Sequence, residues 1–112
     1  MPERDAKLYL ADIQLALEKI ERYTSGLSFE QFASSQQVID AVVRNFEIIG
    51  EAGRNIPENI KNAHPDVPWE KMTGMRNKVI HEYFGVDEEI LWKTLKEDFP
   101  PFKIQILELL KS

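Results

Sequence analysis

The sequence predicts an all-α protein, an up-and-down bundle of four to five main helices joined by short connections. Three observations predict it. Apolar residues recur at three- and four-residue intervals along most of the chain. No segment shows the alternation of a half-buried strand. Glycine, proline and serine stand between the periodic stretches, where turns are needed.

The first helix is expected from about Arg4 to Ser25, with Tyr9, Ile13, Ala16, Leu17 and Ile20 on one face. Gly26 is a natural stop just beyond its end. Ser28 and Gln31 match a capping box, which predicts a short turn of helix from Phe29 to Ala33. A second long helix should begin near Ser34 or Ser35 and run to about Asn55. Its apolar face uses Ile39, Val42, Val43, Phe46, Ile49 and Gly53, widened by Val38, Ala41, Ile48 and Ala52. A face that broad belongs to a central helix packed on more than one side. Gly50 and Gly53 each cost helix propensity, on the order of 1 kcal/mol against alanine, and close approach of another helix would explain them.

Pro57, Pro65 and Pro68 punctuate a connector from Ile56 to Met72, with one helical turn from Pro57 to Ala63. A helix is expected from about Thr73 to Phe84, ended by Gly85. Asp87 is a good N-cap for the next, Glu88 to Phe99, whose first-turn carboxylates complement its dipole. Pro100 and Pro101 are expected to kink or break the chain before a last amphipathic helix, in which Phe102, Ile106, Leu107 and Leu110 point inward.

The 112 residues suit one domain, 1–112, and the 43% hydrophobic content suffices for a core. Fourteen Lys and Arg against nineteen Asp and Glu leave a net charge of −5. That balance argues against general polyanion binding and favours a cationic partner or a self-complementary dimer, while leaving room for a local basic pocket. The absence of cysteine excludes disulfides, thiolate nucleophiles and zinc sites built on Cys. The start, MPERDAKLYL, is too charged for a secretory h-region, and no apolar run approaches the roughly 18 residues of a membrane span. No membrane association is expected, and the cytoplasm is the default location.

Two features carry candidate chemistry. The long second helix keeps a polar stripe of Asp40, Arg44, Glu47, Glu51 and Arg54 at helical spacing. It reads either as a solvated face with internal ion pairs or as the wall of a cleft lined by Arg44, Glu47 and Glu51. The second feature is GMRNKVIHEYFG, which places Arg76, Asn77, Lys78, His81 and Tyr83 within eight residues. Asn77 and His81 share a helical face, whereas Arg76 and His81 stand about 140° apart at about 100° per residue. Either the long Arg76 reaches around, or a two-fold dimer brings two such sets together.

Such a set suits phosphodiester cleavage without metal. Histidine titrates near neutrality and can move the proton of a ribose 2′-hydroxyl or of the leaving group. Arginine offers a planar, permanently charged fork to a phosphate whose charge grows in the transition state. Asn77 would orient His81 or bind a phosphate oxygen, and Glu82 faces solvent. The bland alternative is surface charge with one hydrogen-bonded histidine. His64, in AHPDVP, reads as a loop or capping residue. One histidine beside one glutamate makes no zinc site, so no metal and no cofactor are expected.

These residues resemble a known family. Arg76-Asn77-Lys78-Val79-Ile80-His81 looks like the Arg-x4-6-His signature of the HEPN superfamily. With Glu82-Tyr83 it resembles the Arg-x4-His-x-Tyr pattern of the HepT-like toxins of HepT/MNT toxin–antitoxin systems. Val43 to Ala52 resembles the family's R-x-x-E-x-I-G-E-A helix, and His64 to Trp69 its Pro-Trp connector. The resemblance implies a HEPN-like bundle that forms a homodimer, with paired Arg76 and His81 in the cleft between protomers. It implies a metal-independent endoribonuclease that cleaves RNA through a 2′,3′-cyclic phosphate, with Asn77, Arg44, Glu47 and Glu51 in support. It implies a cognate MNT-type nucleotidyltransferase antitoxin that transfers AMP to Tyr83, where a bulky anion would block the cleft and repel phosphate. The other reading is a non-catalytic subunit that binds a partner or presents nucleotide to a nucleotidyltransferase.

Overall fold

The computed structural model of the chain describes residues 5–74 and 87–111, and all regular structure among them is helical. Local sequence sets most of the helix starts. α1 (Ala6–Thr24) begins where the Asp5 carboxylate accepts the Lys7 N–H at 2.9 Å. It ends before Gly26, whose φ of 77° is open to glycine at little cost. α2 (Phe29–Ala33) carries the expected reciprocal cap. Ser28 Oγ accepts the Gln31 N–H at 3.2 Å, and Gln31 Oε1 accepts the Ser28 N–H at 2.9 Å. α3 (Gln36–Arg54) starts at Ser35, whose hydroxyl accepts the Val38 N–H. α4 (Glu58–Ala63) is the single turn expected after Pro57.

α5, residues 69–74, starts earlier than the sequence suggested. The chain turns helical directly after Pro68, whose carbonyl accepts the Met72 N–H at 3.1 Å. A proline at a helix start removes no needed donor and pre-sets φ, so Pro68 opens the helix instead of extending the connector. α6 (Glu88–Lys93) is capped by Asp87, which accepts the N–H groups of Glu89 and Ile90 at 3.0 and 3.2 Å.

Of the kink or break expected at Pro100-Pro101, the break does not occur. A π-helical turn, Thr94–Asp98, joins α6 to α7 (Phe99–Lys111) with no non-helical residue between them. Both prolines follow closely on the π-helical turn, so the carbonyls of Lys96 and Glu97 have no N–H donor four residues on. The Phe99 N–H instead reaches back to the Thr94 carbonyl.

α1 and α3 form the centre of the bundle. The start of α1 (Tyr9, Asp12) lies beside the end of α3 (Ile48 to Asn55), so the two run antiparallel. The end of α1 (Glu21, Thr24) lies beside the start of α7 (Phe99, Lys103), so this pair is antiparallel too. Ile13, Val42, Ile49 and Ile106 are fully enclosed between these helices. α2 braces α3 and α6 through Phe32, whose ring stands 5.1 Å from that of Trp92. Phe46 and Phe99, with centroids 5.0 Å apart, fasten α3 to α7.

Several side chains of the expected inward set are not fully buried, Val43 and Leu110 being half-buried at the edge of the core. Tyr9 sits half-buried at the edge of the core, and Leu10 takes the buried position beside it. Leu107 is exposed, because the buried line of α7 runs through Phe102, Ile106 and Leu109 instead. Gly53 lies against α5, but the approach is not close enough to require glycine, since a Cβ there would meet Met72 Cβ and Thr73 Oγ1 at 3.8 Å, an ordinary contact. Among the described residues no helix is long and apolar enough to cross a membrane.

Two stability predictions follow from these contacts. Phe32→Ala should cost about 3–5 kcal/mol in urea unfolding, whereas Leu107→Ala should cost well under about 1 kcal/mol. Gly53→Ala should stabilise the protein by up to about 1 kcal/mol through helix propensity, and a loss in the same measurement would show that the site has no room for a methyl group.

Candidate functional site: the groove between α1 and α3

The polar stripe of α3 borders the seam with α1. Its inner neighbours Val42, Phe46 and Ile49 are buried, which fixes the rotation of the helix about its axis. That rotation turns Arg44, Glu47, Glu51 and Asn55 toward the flank of α1, where Tyr9 and Asp12 complete a shallow groove. The groove holds about 360 Å³ and is floored by Ile48 and Ala52.

Within it, Arg44 Nη1 stands 3.7 Å from Glu47 Oε2, an i,i+3 pair in which the arginine side chain is 72% exposed. An exposed pair at that distance contributes a few tenths of a kcal/mol, so Arg44 can exchange Glu47 for an anionic ligand at little cost. Asn55 caps the C-terminal end of α3 and donates from Nδ2 to the Glu51 carbonyl at 2.8 Å. Among the described residues the groove presents three carboxylates, Asp12, Glu47 and Glu51, and one cation, Arg44.

The two readings of the α3 stripe therefore divide it. Arg44, Glu47 and Glu51 lie along the groove, whereas Asp40 and Arg54 are exposed outside it, with Asp40 accepting a 2.7 Å bond from Gln36 Nε2. Tyr9 and Asp12 were missed in the sequence. The available signal was their i,i+3 spacing on the edge of the α1 core stripe.

Arg76, Asn77, His81 and Tyr83 lie outside the described residues. Up to Gly74 the chain is followed in α5, whose Met72 and Thr73 sit against Gly53 in the last turn of α3. His64 is the C-cap of α4. Its N–H donates to the carbonyls of Ile60 and Lys61, and its carbonyl accepts the indole N–H of Trp69 at 3.0 Å. Among the described residues no group of three or more His, Cys, Asp or Glu is placed to hold a metal ion.

Comparison with known proteins gives a consistent result. The family model described as Ribonuclease HepT-like matches residues 13–109. A protein of Thermococcus cleftensis named "Probable ribonuclease HepT" is 49% identical over 109 residues, covering 97% of this chain and 99% of its own. A "Putative RNase" of Methanocaldococcus jannaschii is 39% identical over 112 residues, covering all of this chain and 93% of its own. Another, from Caldanaerobacter subterraneus, is 41% identical over 104 residues and covers 93% of each chain. No solved structure matches the chain.

Because the Arg44–Glu47 pair is exposed, Glu47→Ala should change the unfolding free energy by less than about 0.5 kcal/mol. A larger loss by urea titration would mean that the groove wall is structural.

Proposed function

The chain belongs to the Ribonuclease HepT-like family, a toxin family of the HEPN superfamily, and from that premise we propose that it is an endoribonuclease toxin acting without metal. The observation that carries this reading is the Arg76-x4-His81-x-Tyr83 pattern, which falls inside the matched span. In the proposed reaction His81 takes the proton of a ribose 2′-hydroxyl, and the 2′-oxygen attacks the adjacent phosphorus. The bond to the 5′-oxygen breaks, and that oxygen receives a proton, leaving a 2′,3′-cyclic phosphate and a 5′-hydroxyl. Arg76 stabilises the charge that builds on the phosphoryl oxygens, and Asn77 orients His81 or binds one of those oxygens.

The five-residue spacing of Arg76 and His81 in the sequence, which corresponds to about 140° in an ideal helix, supports a homodimer in which two sets meet in a cleft. The α1–α3 groove is assigned a supporting role. Arg44 offers a second cation to the RNA backbone, while Glu47 and Glu51 hold cationic groups of the site in place. Tyr83 is the point of control. AMP transferred to its hydroxyl by a cognate nucleotidyltransferase would set a negative charge two residues from His81 and repel the substrate phosphate.

The net charge of −5 supports a second reading, a non-catalytic subunit that docks on a nucleotidyltransferase or presents nucleotide to it. Digestion of tRNA and mRNA in chelator separates the two. The unmodified protein should cut RNA to cyclic-phosphate ends, and His81→Ala should lower the rate by about 10²- to 10⁴-fold. Intact RNA after prolonged incubation with unmodified wild-type protein would sink the nuclease reading. An intact-mass measurement after coexpression with the neighbouring gene's product should show AMP on Tyr83.

A further inference from the structure

α5 is the described element that leads toward Arg76 and His81, which follow Lys71 by five and ten residues. It is only six residues long, too short to be stable alone, so its contacts decide how it lies. Trp69 and Met72 are buried and stand about 60° apart round the helix, at about 100° per residue. Met72 sits against Gly53 of α3, and the Trp69 indole N–H donates to the His64 carbonyl at 3.0 Å. Both ties act on one side of α5, and apolar contact has no direction of its own. Alone they would permit the helix to roll about that side.

A second face is held by charge. Lys71 lies about 100° round from Met72, and its Nζ stands 3.0 Å from Asp98 Oδ2. Asp98 is the last residue of the π-helical turn, so the turn that keeps Leu95 and Phe99 buried also sets where this carboxylate stands. Widened turns of this kind recur at functional sites. The lysine side chain is 57% exposed and the aspartate 35%, and a pair so open to water adds little to stability. What it supplies is geometry, because attachments on two faces fix both the place and the roll of α5. At most about 18 Å of extended chain separates Lys71 from Arg76, while reacting groups must be held to within about 0.5 Å.

We propose that Asp98 is a positioning residue for RNA cleavage: by holding Lys71 it fixes the roll of α5 and thereby the placement of Arg76 and His81. This role rests on the ribonuclease reading, in which those two residues do the chemistry. It requires no contact of Lys71 or Asp98 with RNA.

The test is RNA cleavage in chelator by the full chain. Asp98→Asn and Lys71→Gln should each lower kcat about 10- to 100-fold with KM within about twofold of wild type. The double variant should be no slower than either single, because all three lack the same interaction. Exchanging the charges, Lys71→Glu with Asp98→Lys, should recover most of the loss. Tm should fall by no more than about 4 °C in each single variant. As a control, Glu21→Gln removes the 3.0 Å pair with Lys103 on another side of α7 and should leave kcat unchanged.

With two histidines in the chain, the His81 ring can be followed by NMR without any need for activity. Its Hε1 resonance should move in both single variants and return in the charge-exchanged protein. Wild-type protein that cuts no RNA would sink the ribonuclease reading, whereas an unmoved His81 resonance would overturn the positioning role by itself. Unchanged kcat in Asp98→Asn would overturn it as well. So would a KM raised in Lys71→Gln alone, which would mean that Lys71 binds RNA directly. A charge-exchanged protein as slow as the single variants, or a larger loss of Tm, would also count against it, the latter marking the pair as structural.

Discussion

The antiparallel packing of α1 on α3 is the constraint on which the rest of the structure depends. Ile13, Val42 and Ile49 are fully enclosed, and burying each contributes roughly 1.5–3 kcal/mol. Rotating either helix by one residue, about 100°, would bring charged positions into that interior and expose these side chains. With both rotations fixed, the flanks have no freedom. Tyr9 and Asp12 must face Arg44, Glu47 and Glu51 on one side, and Glu21 must face Lys103 on the other. The groove is thus a consequence of the core.

The same logic accounts for the π-helical turn. Leu91, Leu95 and Phe99 are all buried and four residues apart. In a straight α-helix of 3.6 residues per turn, each spacing of four would rotate the apolar line by about 40°. A widened turn absorbs this drift and keeps all three against the bundle. Pro100 and Pro101 favour it by withholding the N–H groups that would otherwise bond the carbonyls of Lys96 and Glu97 in α register. The prolines, for which the sequence suggested a kink or a break, therefore favour a widened turn within a continuous helical run.

What could be read from the sequence divides along this boundary between local and tertiary physics. Gly26, the capping box of Ser28 and Gln31, and the cap at Asp87 act within four residues, and each stands where the pattern placed it. Pro68 and Leu107 were misread because their roles depend on context. A proline marks the start of a helix as readily as the end of one, and Leu107 matches the apolar period of α7 yet finds no neighbour to cover it. The site shows the same division. Arg44, Glu47 and Glu51 were visible as a stripe, but whether it met water or a wall depended on Tyr9 and Asp12 of α1, distant in the chain. Arg76, Asn77, His81 and Tyr83 were legible as a pattern of residue types, which suggests a reaction without fixing distances.

Net charge was the weakest guide, for an electrostatic reason. An α-helix with its side chains is about 10–12 Å across, somewhat more than the roughly 8 Å Debye length at physiological ionic strength. Charges on opposite sides of α1 are therefore largely screened from each other. The groove, whose described residues include Asp12, Glu47 and Glu51, and the opposite flank, where Glu21 pairs with Lys103, act as separate surfaces, although α1 takes part in both. A ligand meets whichever field it approaches, not the formal total of −5. That total argues against indiscriminate RNA binding over the whole surface. It leaves open a phosphate held locally by one or two arginines, where short range and lower dielectric make each cation count for more.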